Sequence, residues 1–238
     1  MRTLMTLLLG AALPFAALPA QAVTVDLYDW AVNVDTTVAD ALDGDPIPAG
    51  VNTGGLNLTT GFGQLRLTVN GAGAHYVGAF FDHEIDQGDN TWFNEIGAQS
   101  GAAAPGQTWE IDEPGWKTGD IFENLQAGAL DDGNGTSIYG DATWPDDVSM
   151  AMAWDFNLAV GETGIVDFMI SDLQPSPGGG LVLSQTDPDS NDYTLYLTST
   201  LLKKPAGGGP SIPEPATVAL FGLGLAAMAA AGGRRRRS

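Results

Sequence analysis

Acidic side chains crowd one short stretch of the chain, Asp82-His83-Glu84-Ile85-Asp86-Gln87-Gly88-Asp89-Asn90. If the strand that we predict just before it continues, Asp82, Glu84 and Asp86 share one side, because alternate side chains of a strand point the same way. Like charges so placed repel one another unless a cation or protons intervene. Calcium is the natural partner, since it is a hard cation that takes about six to eight oxygen ligands. The stretch therefore predicts a calcium site that uses Asp82, Glu84, Asp86 and Asp89.

A second acidic run, Asp187-Pro188-Asp189-Ser190-Asn191-Asp192, also begins with alternate oxygen ligands, at Asp187 and Asp189. Neither run has the spacing of an EF-hand loop, since Gly88 lies one place late in the first and Asp192 occupies the glycine position in the second. The alternative for both runs is a solvated acidic turn, which needs no cation. The sequence leaves these two interpretations open.

Part of the first stretch also resembles a catalytic motif. Glu84-Ile85-Asp86-Gln87-Gly88-Asp89 is similar to the Glu-x-Asp-x-x-Glu strand of laminarinase-type glycoside hydrolases, which are jelly rolls. The resemblance implies that Glu84 is the nucleophile and Asp89 the general acid of a retaining hydrolysis. The chain departs from the motif in two ways, because Asp89 is one methylene shorter than Glu and Gln87-Gly88 replaces apolar residues. Glycoside hydrolysis is therefore the alternative to a body without catalytic activity.

Few other residues have the type and spacing that a catalytic or binding site requires. His75 and His83 are too isolated for a catalytic triad, and we expect ordinary strand or surface histidines with hydrogen-bond partners. Trp154 is expected in the core because of its place in an alternating strand. Three other tryptophans lie in loop-like or acidic segments, where a flat ring either packs in the core or stacks on a sugar: Trp92, Trp109 and Trp116.

The charge of the chain excludes several partners. There are 29 acidic and 9 basic residues, and the net charge is -20. Residues 23–212 hold four basic residues against 28 acidic ones, a net charge of -24. A protein that binds phosphates needs a patch of Lys and Arg, so nucleic acid and anionic membrane surfaces are excluded as partners. The chain has no cysteine, which excludes disulfides, zinc-thiolate sites and thiol nucleophiles.

The pattern of residues 23–202 predicts a single all-β domain, a β-sandwich or jelly roll. Large apolar side chains alternate with small or polar ones through 150–158 and again through 166–170, and we expect these two strands to form a hairpin. Further strands are predicted at 23–27, 65–69, 78–81, 108–111 and 193–197. Loops rich in Gly, Asp, Asn and Pro are predicted at 40–55, 97–107, 131–135 and 174–180. No segment between the two ends shows a helical period.

The first 22 residues predict a secretory signal peptide. Arg2 supplies the positive charge, an apolar run follows, and Ala20 and Ala22 form an Ala-x-Ala arrangement. Cleavage is expected after Ala22.

The last 36 residues predict a linker, a membrane span and a basic stop. Residues 203–211 are rich in Gly and Pro, which is typical of a flexible linker. After Pro213-Glu214-Pro215, 18 uncharged residues, 216–233, precede a run of arginines: Arg234, Arg235, Arg236 and Arg237. As a helix the uncharged run spans roughly 27 Å, enough for a thin bilayer. The arginines stay in the cytoplasm, so the body is expected outside.

These C-terminal parts together resemble a known family. Pro213-Glu214-Pro215, the apolar Leu220–Leu225 and the arginine run are similar to the PEP-CTERM sorting signal of Gram-negative bacteria, over residues 212–238. The resemblance implies that an exosortase, an integral-membrane cysteine protease, recognises the tripeptide and cuts near it. The body would then be released or transferred to the cell surface. Two prolines hold the backbone extended, so Glu214 would lie just outside the membrane, accessible to the protease.

The sequence thus predicts an exported, acidic cell-surface or extracellular-matrix protein that associates with exopolysaccharide and has no catalytic activity. The alternative is a carbohydrate-binding module or jelly-roll glycoside hydrolase with an acidic loop that binds calcium. The ligand of the body is not predicted.

Overall fold

The computed structural model describes residues 22–114, 119–136 and 145–205. The strands are β1 Val25–Val34, β2 Thr37–Asp40, β3 Val51–Leu56, β4 Gly63–Asn70, β5 Gly73–Ile85, β6 Ile96–Ser100, β7 Gln107–Asp112, β8 Gly133–Asn134, β9 Ser149–Leu158, β10 Thr163–Ser171, β11 Val182–Asp187 and β12 Tyr193–Lys204, and the helix is α1 Ile121–Ala127. No helix in these ranges has the length and apolar character that a membrane crossing requires.

Several predicted features lie outside the described residues. They are the signal peptide up to residue 21, with Ala20, the tripeptide Pro213-Glu214-Pro215, the apolar run and the arginines Arg234–Arg237. Ala22 is described and is exposed. β12 extends to Lys204, so the strand-forming body ends two residues later than the predicted boundary at residue 202.

Two six-stranded sheets form the body, which confirms the all-β prediction. The first sheet has the order β2-β1-β5-β9-β7-β8 and the second has the order β3-β4-β10-β12-β11-β6. Neighbouring strands are antiparallel except β7 and β8, which are parallel. Buried apolar side chains of both sheets, such as Phe81 from the first and Phe168 from the second, belong to one core cluster. The two sheets therefore pack face to face as a sandwich.

Alternation along single strands was predicted correctly. In β9 the large side chains Met150, Met152, Trp154, Phe156 and Leu158 all lie in the core between the sheets. The small side chains Ala151 and Ala153 face the other way and pack under α1. Core packing against the facing sheet thus explains why the large residues are on one side.

The predicted hairpin of β9 and β10 is wrong. β9 pairs with β5 and β7 in the first sheet, whereas β10 pairs with β4 and β12 in the second. The short connection at residues 159–162 therefore crosses from one sheet to the other. Alternation shows which face of a strand is buried, but both strands bury a face in the same core without pairing with each other.

Helix α1 was not predicted, because seven residues are too few for a clear helical period. It covers the outer face of the first sheet, where Ile121 and Leu125 pack on Phe80 and Ala31. Three predicted loops also contain strands, since β8 lies within 131–135, β3 lies mostly within 40–55 and β6 lies mostly within 97–107.

Candidate functional site

Strand β5 sends its side chains alternately into the sandwich and onto the outer face of the first sheet. Phe81 and Ile85 lie in apolar clusters between the sheets, and Phe80 lies in the cluster under α1. The period of two therefore places Asp82 and Glu84 on the outer face. Asp82 and Glu84 therefore share one side of β5, and Asp82 Oδ1 and Glu84 Oε2 are both buried there.

A third carboxylate, Asp147, joins them from the segment just before β9. One oxygen from each of Asp82, Glu84 and Asp147 lies within 4.8 Å of the others. These three residues, called the carboxylate triad below, are only 3%, 6% and 6% exposed. Asp82 Oδ1, Glu84 Oε2 and Asp147 Oδ1 are buried and have no hydrogen-bond partner among the described residues. Three buried acidic groups in such an arrangement cannot all carry uncompensated charge.

Burial and mutual repulsion shift the acidity of the triad. Burial, followed by repulsion from Asp147 and Glu84, raises the pKa of Asp82 well above its ordinary value. Burial also raises the pKa of Glu84 to about 7, with repulsion from Asp26 as the second cause. The pKa of Asp147 is likewise raised to about 7, first by burial and then by Glu84. The triad thus holds protons near neutral pH unless a cation replaces them.

The triad lies in a pocket of about 490 Å³, called the acidic pocket below. Asp29 and Asp40 add two more carboxylates to its wall. Asp29 Oδ1 accepts hydrogen bonds from the backbone N–H of Trp30 at 2.7 Å and of Leu42 at 3.1 Å. Burial and the neighbouring Asp40 raise the pKa of Asp29 to about 6. The pocket therefore presents hydrogen-bond acceptors on several sides.

Aromatic rings complete the wall of the acidic pocket. Tyr28 is 57% exposed and Trp92 is 36% exposed, and both line the pocket. Phe122 of α1 and Phe80 of β5 line it as well. The sequence left core packing and sugar stacking open for three tryptophans: Trp92 lines this pocket, Trp109 is half-buried against the core and Trp116 lies outside the described residues. Flat rings beside carboxylates suit a ligand with both apolar faces and hydroxyl donors.

Asp86 does not lie beside Asp82 and Glu84, because the strand does not continue. β5 ends at Ile85, and Asp86 has a φ of 56°, in the left-handed region that turns the chain. Its Oδ1 accepts hydrogen bonds from the backbone N–H of Thr24 at 3.0 Å and from the Thr24 hydroxyl at 3.1 Å. The expectation that three alternate carboxylates share one face thus holds for two only. Asp89 follows in the exposed turn.

The two acidic runs do meet, but at a different place from the pocket. The Nδ2 group of Asn90 donates to Asp187 Oδ2 at 2.6 Å, and that of Asn94 donates to Asp187 Oδ1 at 2.9 Å. The Ser190 hydroxyl lies 3.2 Å from Asp86 Oδ2. Asp189 Oδ2 accepts from Asn94 at 3.2 Å. Amide and hydroxyl donors therefore satisfy these carboxylates and join the two loops.

A second acidic group consists of Glu110, Asp112 and Asp120. Its oxygens are as close together as those of the carboxylate triad, but they accept hydrogen bonds from neighbouring groups. Glu110 Oε1 accepts from the Nδ2 group of Asn124 at 3.0 Å. Asp112 Oδ2 accepts from the backbone N–H of Asp120 at 3.1 Å, and its Oδ1 accepts from that of Glu113 at 2.8 Å. Since internal donors already bind these oxygens, this group is less suited to a cation than the carboxylate triad.

The two histidines differ from each other. His75 has the expected partners, because its Nδ1 lies 2.8 Å from Asp35 Oδ2 and its Nε2 lies 3.0 Å from the Gly71 carbonyl oxygen. His83 was expected to have partners too, and this is wrong. It is fully buried inside the sandwich, and neither ring nitrogen has a hydrogen-bond partner among the described residues. Burial lowers its pKa to about 4, so the imidazole is neutral at pH 7.

Comparison with known proteins identifies the C-terminal segment. The family described as PEP-CTERM protein-sorting motif matches residues 211–237, which confirms the predicted resemblance. The chain therefore carries a signal for export and for sorting by exosortase to the cell surface of a Gram-negative bacterium. No curated protein and no solved structure matches the chain.

Proposed function

We propose that the protein is a non-catalytic component of the cell surface or extracellular matrix and that it binds exopolysaccharide in the acidic pocket. Exosortase would cut the chain near Pro213-Glu214-Pro215 before the body reaches the cell surface or the extracellular matrix. The sorting motif at residues 211–237 supports this export and processing. The composition of the pocket supports the contact with a saccharide.

The observation that carries this proposal is the pairing of exposed rings with carboxylates in one concave site. A sugar has apolar C–H faces, which stack on rings such as Tyr28 and Trp92, and hydroxyl groups, which donate to carboxylates such as Asp29 and Asp40. The volume of about 490 Å³ lies within the range of small-molecule sites. The pocket is thus large enough for a short segment of a polysaccharide chain.

The charge of the body limits which polysaccharide can bind. Residues 23–212 carry a net charge of -24, and a polyanion would be repelled unless divalent cations lie between the two. We therefore propose a neutral polysaccharide, or an acidic one that is bridged by cations.

Glycoside hydrolysis is the second candidate, and one observation favours it. Glu84 and Asp147 lie close together in the pocket, and the pKa of each is raised to about 7. A retaining glycosidase needs two carboxyl groups about 5 Å apart, one of which is protonated at working pH. Release of reducing ends from a β-glucan by the wild-type protein, and its loss in Glu84→Gln, would favour this enzyme over a binding protein.

A binding assay tests the leading proposal. Exopolysaccharide from the strain that exports the protein is titrated into the exported protein, and binding is followed by calorimetry or co-sedimentation. Tyr28→Ala and Trp92→Ala should each weaken binding by roughly two- to tenfold, because each removes one stacking ring. Leu173→Ala is the control, since Leu173 is exposed and does not line the pocket. Equal binding by all three variants would contradict the proposal.

A further inference from the structure

We infer that Asp82, Glu84 and Asp147 bind a hard divalent cation, of which calcium is the representative, in the acidic pocket that all three residues line. This inference goes beyond polysaccharide binding and does not require it. The site differs from the one that the sequence predicts, because Asp147 replaces Asp86, Asp89, Asp187 and Asp189 as a ligand.

Strand pairing places the three carboxylates together. β5 and β9 are antiparallel neighbours, and Asp82 is opposite Ser149 in their register. Asp147 lies two residues before Ser149, in the segment that leads into β9, and one of its oxygens lies within 4.8 Å of one oxygen of Glu84. Strand β5 and the segment that leads into its neighbour β9 therefore hold the three ligands.

The unpartnered oxygens are the observation that points to a ligand. Each of the three residues is more than nine-tenths buried and carries one buried oxygen without a hydrogen-bond partner among the described residues. Buried carboxylate oxygens normally accept hydrogen bonds, and a buried oxygen without a partner destabilises the folded protein. The ion pairs formed within the described ranges are Arg66 with Asp167 and His75 with Asp35, and neither involves the triad. A bound cation would satisfy all three oxygens at once.

The type of ligand favours calcium, magnesium or manganese. All three donors are carboxylate oxygens, and oxygen-only sites prefer these hard cations to zinc or copper, which favour nitrogen and sulfur. Three carboxylates leave several positions of a calcium ion open. Because the triad lines a pocket, water or hydroxyl groups of a ligand can occupy those positions.

The Glu110, Asp112 and Asp120 group is a natural control within the same chain. Its oxygens lie within the same 4.8 Å limit, so spacing alone does not separate it from the triad. Backbone and amide donors bind Glu110 and Asp112, as described above. If unpartnered oxygens determine where a cation binds, the triad binds one and this group does not.

Metal titration of the purified exported protein tests the inference. The protein is first dialysed against a chelator, and CaCl₂, MgCl₂ and MnCl₂ are then added separately in calorimetry and in thermal unfolding. At least one of these cations should bind one per chain, and a concentration about 100 times its Kd should raise the Tm by roughly 5–10 °C. Asp147→Asn and Glu84→Gln should each weaken binding at least tenfold, whereas Asp120→Asn should leave it unchanged.

Asp147→Asn and Glu84→Gln test metal binding and not folding, because each removes a carboxylate and keeps the size of the side chain. In the absence of metal, Asp147→Asn should be at least as stable as the wild type at neutral pH, since it removes repulsion within the triad. Circular dichroism would verify that each variant is folded. Absence of heat and of any Tm shift with all three cations would overturn the inference, and so would equal affinity in Asp147→Asn and the wild type. Because metal alone is the probe, a failure of polysaccharide binding would not affect this result.

Discussion

The side-chain amide of Asn33 on β1 donates a 2.8 Å hydrogen bond to the backbone carbonyl oxygen of Leu125 in the last turn of α1. The same amide lies 3.1 Å from the carbonyl oxygen of Gln126. Carbonyl groups in the last turn of a helix lack the usual partner one turn further on, and Asn33 donates to two of them from the sheet. The Leu125 carbonyl oxygen also accepts from the backbone N–H of Gly128 at 3.1 Å. This contact joins the first sheet to the helix that brings Phe122 to the wall of the acidic pocket.

Removal of this link should destabilise the protein. Asn33→Ala removes the side-chain donor from the Gln126 carbonyl and leaves the Leu125 carbonyl with the Gly128 N–H alone, which should cost about 1–3 kcal/mol and lower the Tm by several degrees. Thermal unfolding followed by circular dichroism measures the change. Asn157→Ala, on the exposed face of β9, is the control and should alter the Tm little. If both variants unfold at the same temperature, Asn33 does not hold the helix.

The buried ring of His83 should make the substitution of Gly61 by alanine costly. A methyl group added at Gly61 would overlap the imidazole of His83, whereas one at Gly44 would contact nothing. The φ angles are alike, 71° and 74°, so alanine suffers a similar backbone penalty of about 1–2 kcal/mol at either position. Gly61→Ala should be destabilised by roughly 2 kcal/mol more than Gly44→Ala, because of the overlap. Urea unfolding of the two variants measures this difference, and equal losses would show that the ring gives way.

Some of this arrangement could be predicted from the sequence. The inner face of β9 was evident because large and small residues alternate over its whole length, and the outward position of Asp82 and Glu84 follows from the same period. Asp147 could not be placed, because its proximity to Glu84 depends on the pairing of β5 with β9, which alternation within one strand does not determine. The hairpin of β9 with β10 was wrongly predicted for the same reason, because alternation does not show which strands pair.

The pH dependence of stability should report on His83. Its pKa in the folded protein is lowered to about 4 by burial, against an ordinary value of 6.5. The unfolded chain therefore takes up the proton first, so the stability due to the neutral ring is complete above pH 6.5 and is lost as the pH falls toward 4.

Comparison with a variant isolates this effect from the carboxylates, whose raised pKa values act in the opposite sense. Between pH 6.5 and 4 the wild type should lose about 3 kcal/mol relative to His83→Gln, which has no ring to charge. Denaturant unfolding at intervals of pH measures both curves. Parallel curves for the two proteins would mean that the ring is accessible to protons in the folded state.

Processing should depend on the tripeptide of the sorting motif. Replacement of Pro213-Glu214-Pro215 by three alanines removes the two prolines, a residue type that favours an extended backbone, and the carboxylate that we propose exosortase recognises. The variant should remain in the membrane fraction with its C-terminus intact, whereas the wild-type body should be cut. Fractionation and mass spectrometry of strains with and without the protease check this. An uncut wild-type chain in the strain that has the protease would contradict it.

The most direct test of the pocket's role is where the exported body is found in a living culture. A Tyr28→Ala and Trp92→Ala double variant should be processed normally, since both residues are remote in sequence from the sorting motif at 211–237. We predict that wild type and Leu173→Ala remain in the matrix fraction, whereas the double variant passes into the medium. Retention of the double variant in the matrix to the same extent as the wild type would contradict the proposal that the acidic pocket binds exopolysaccharide.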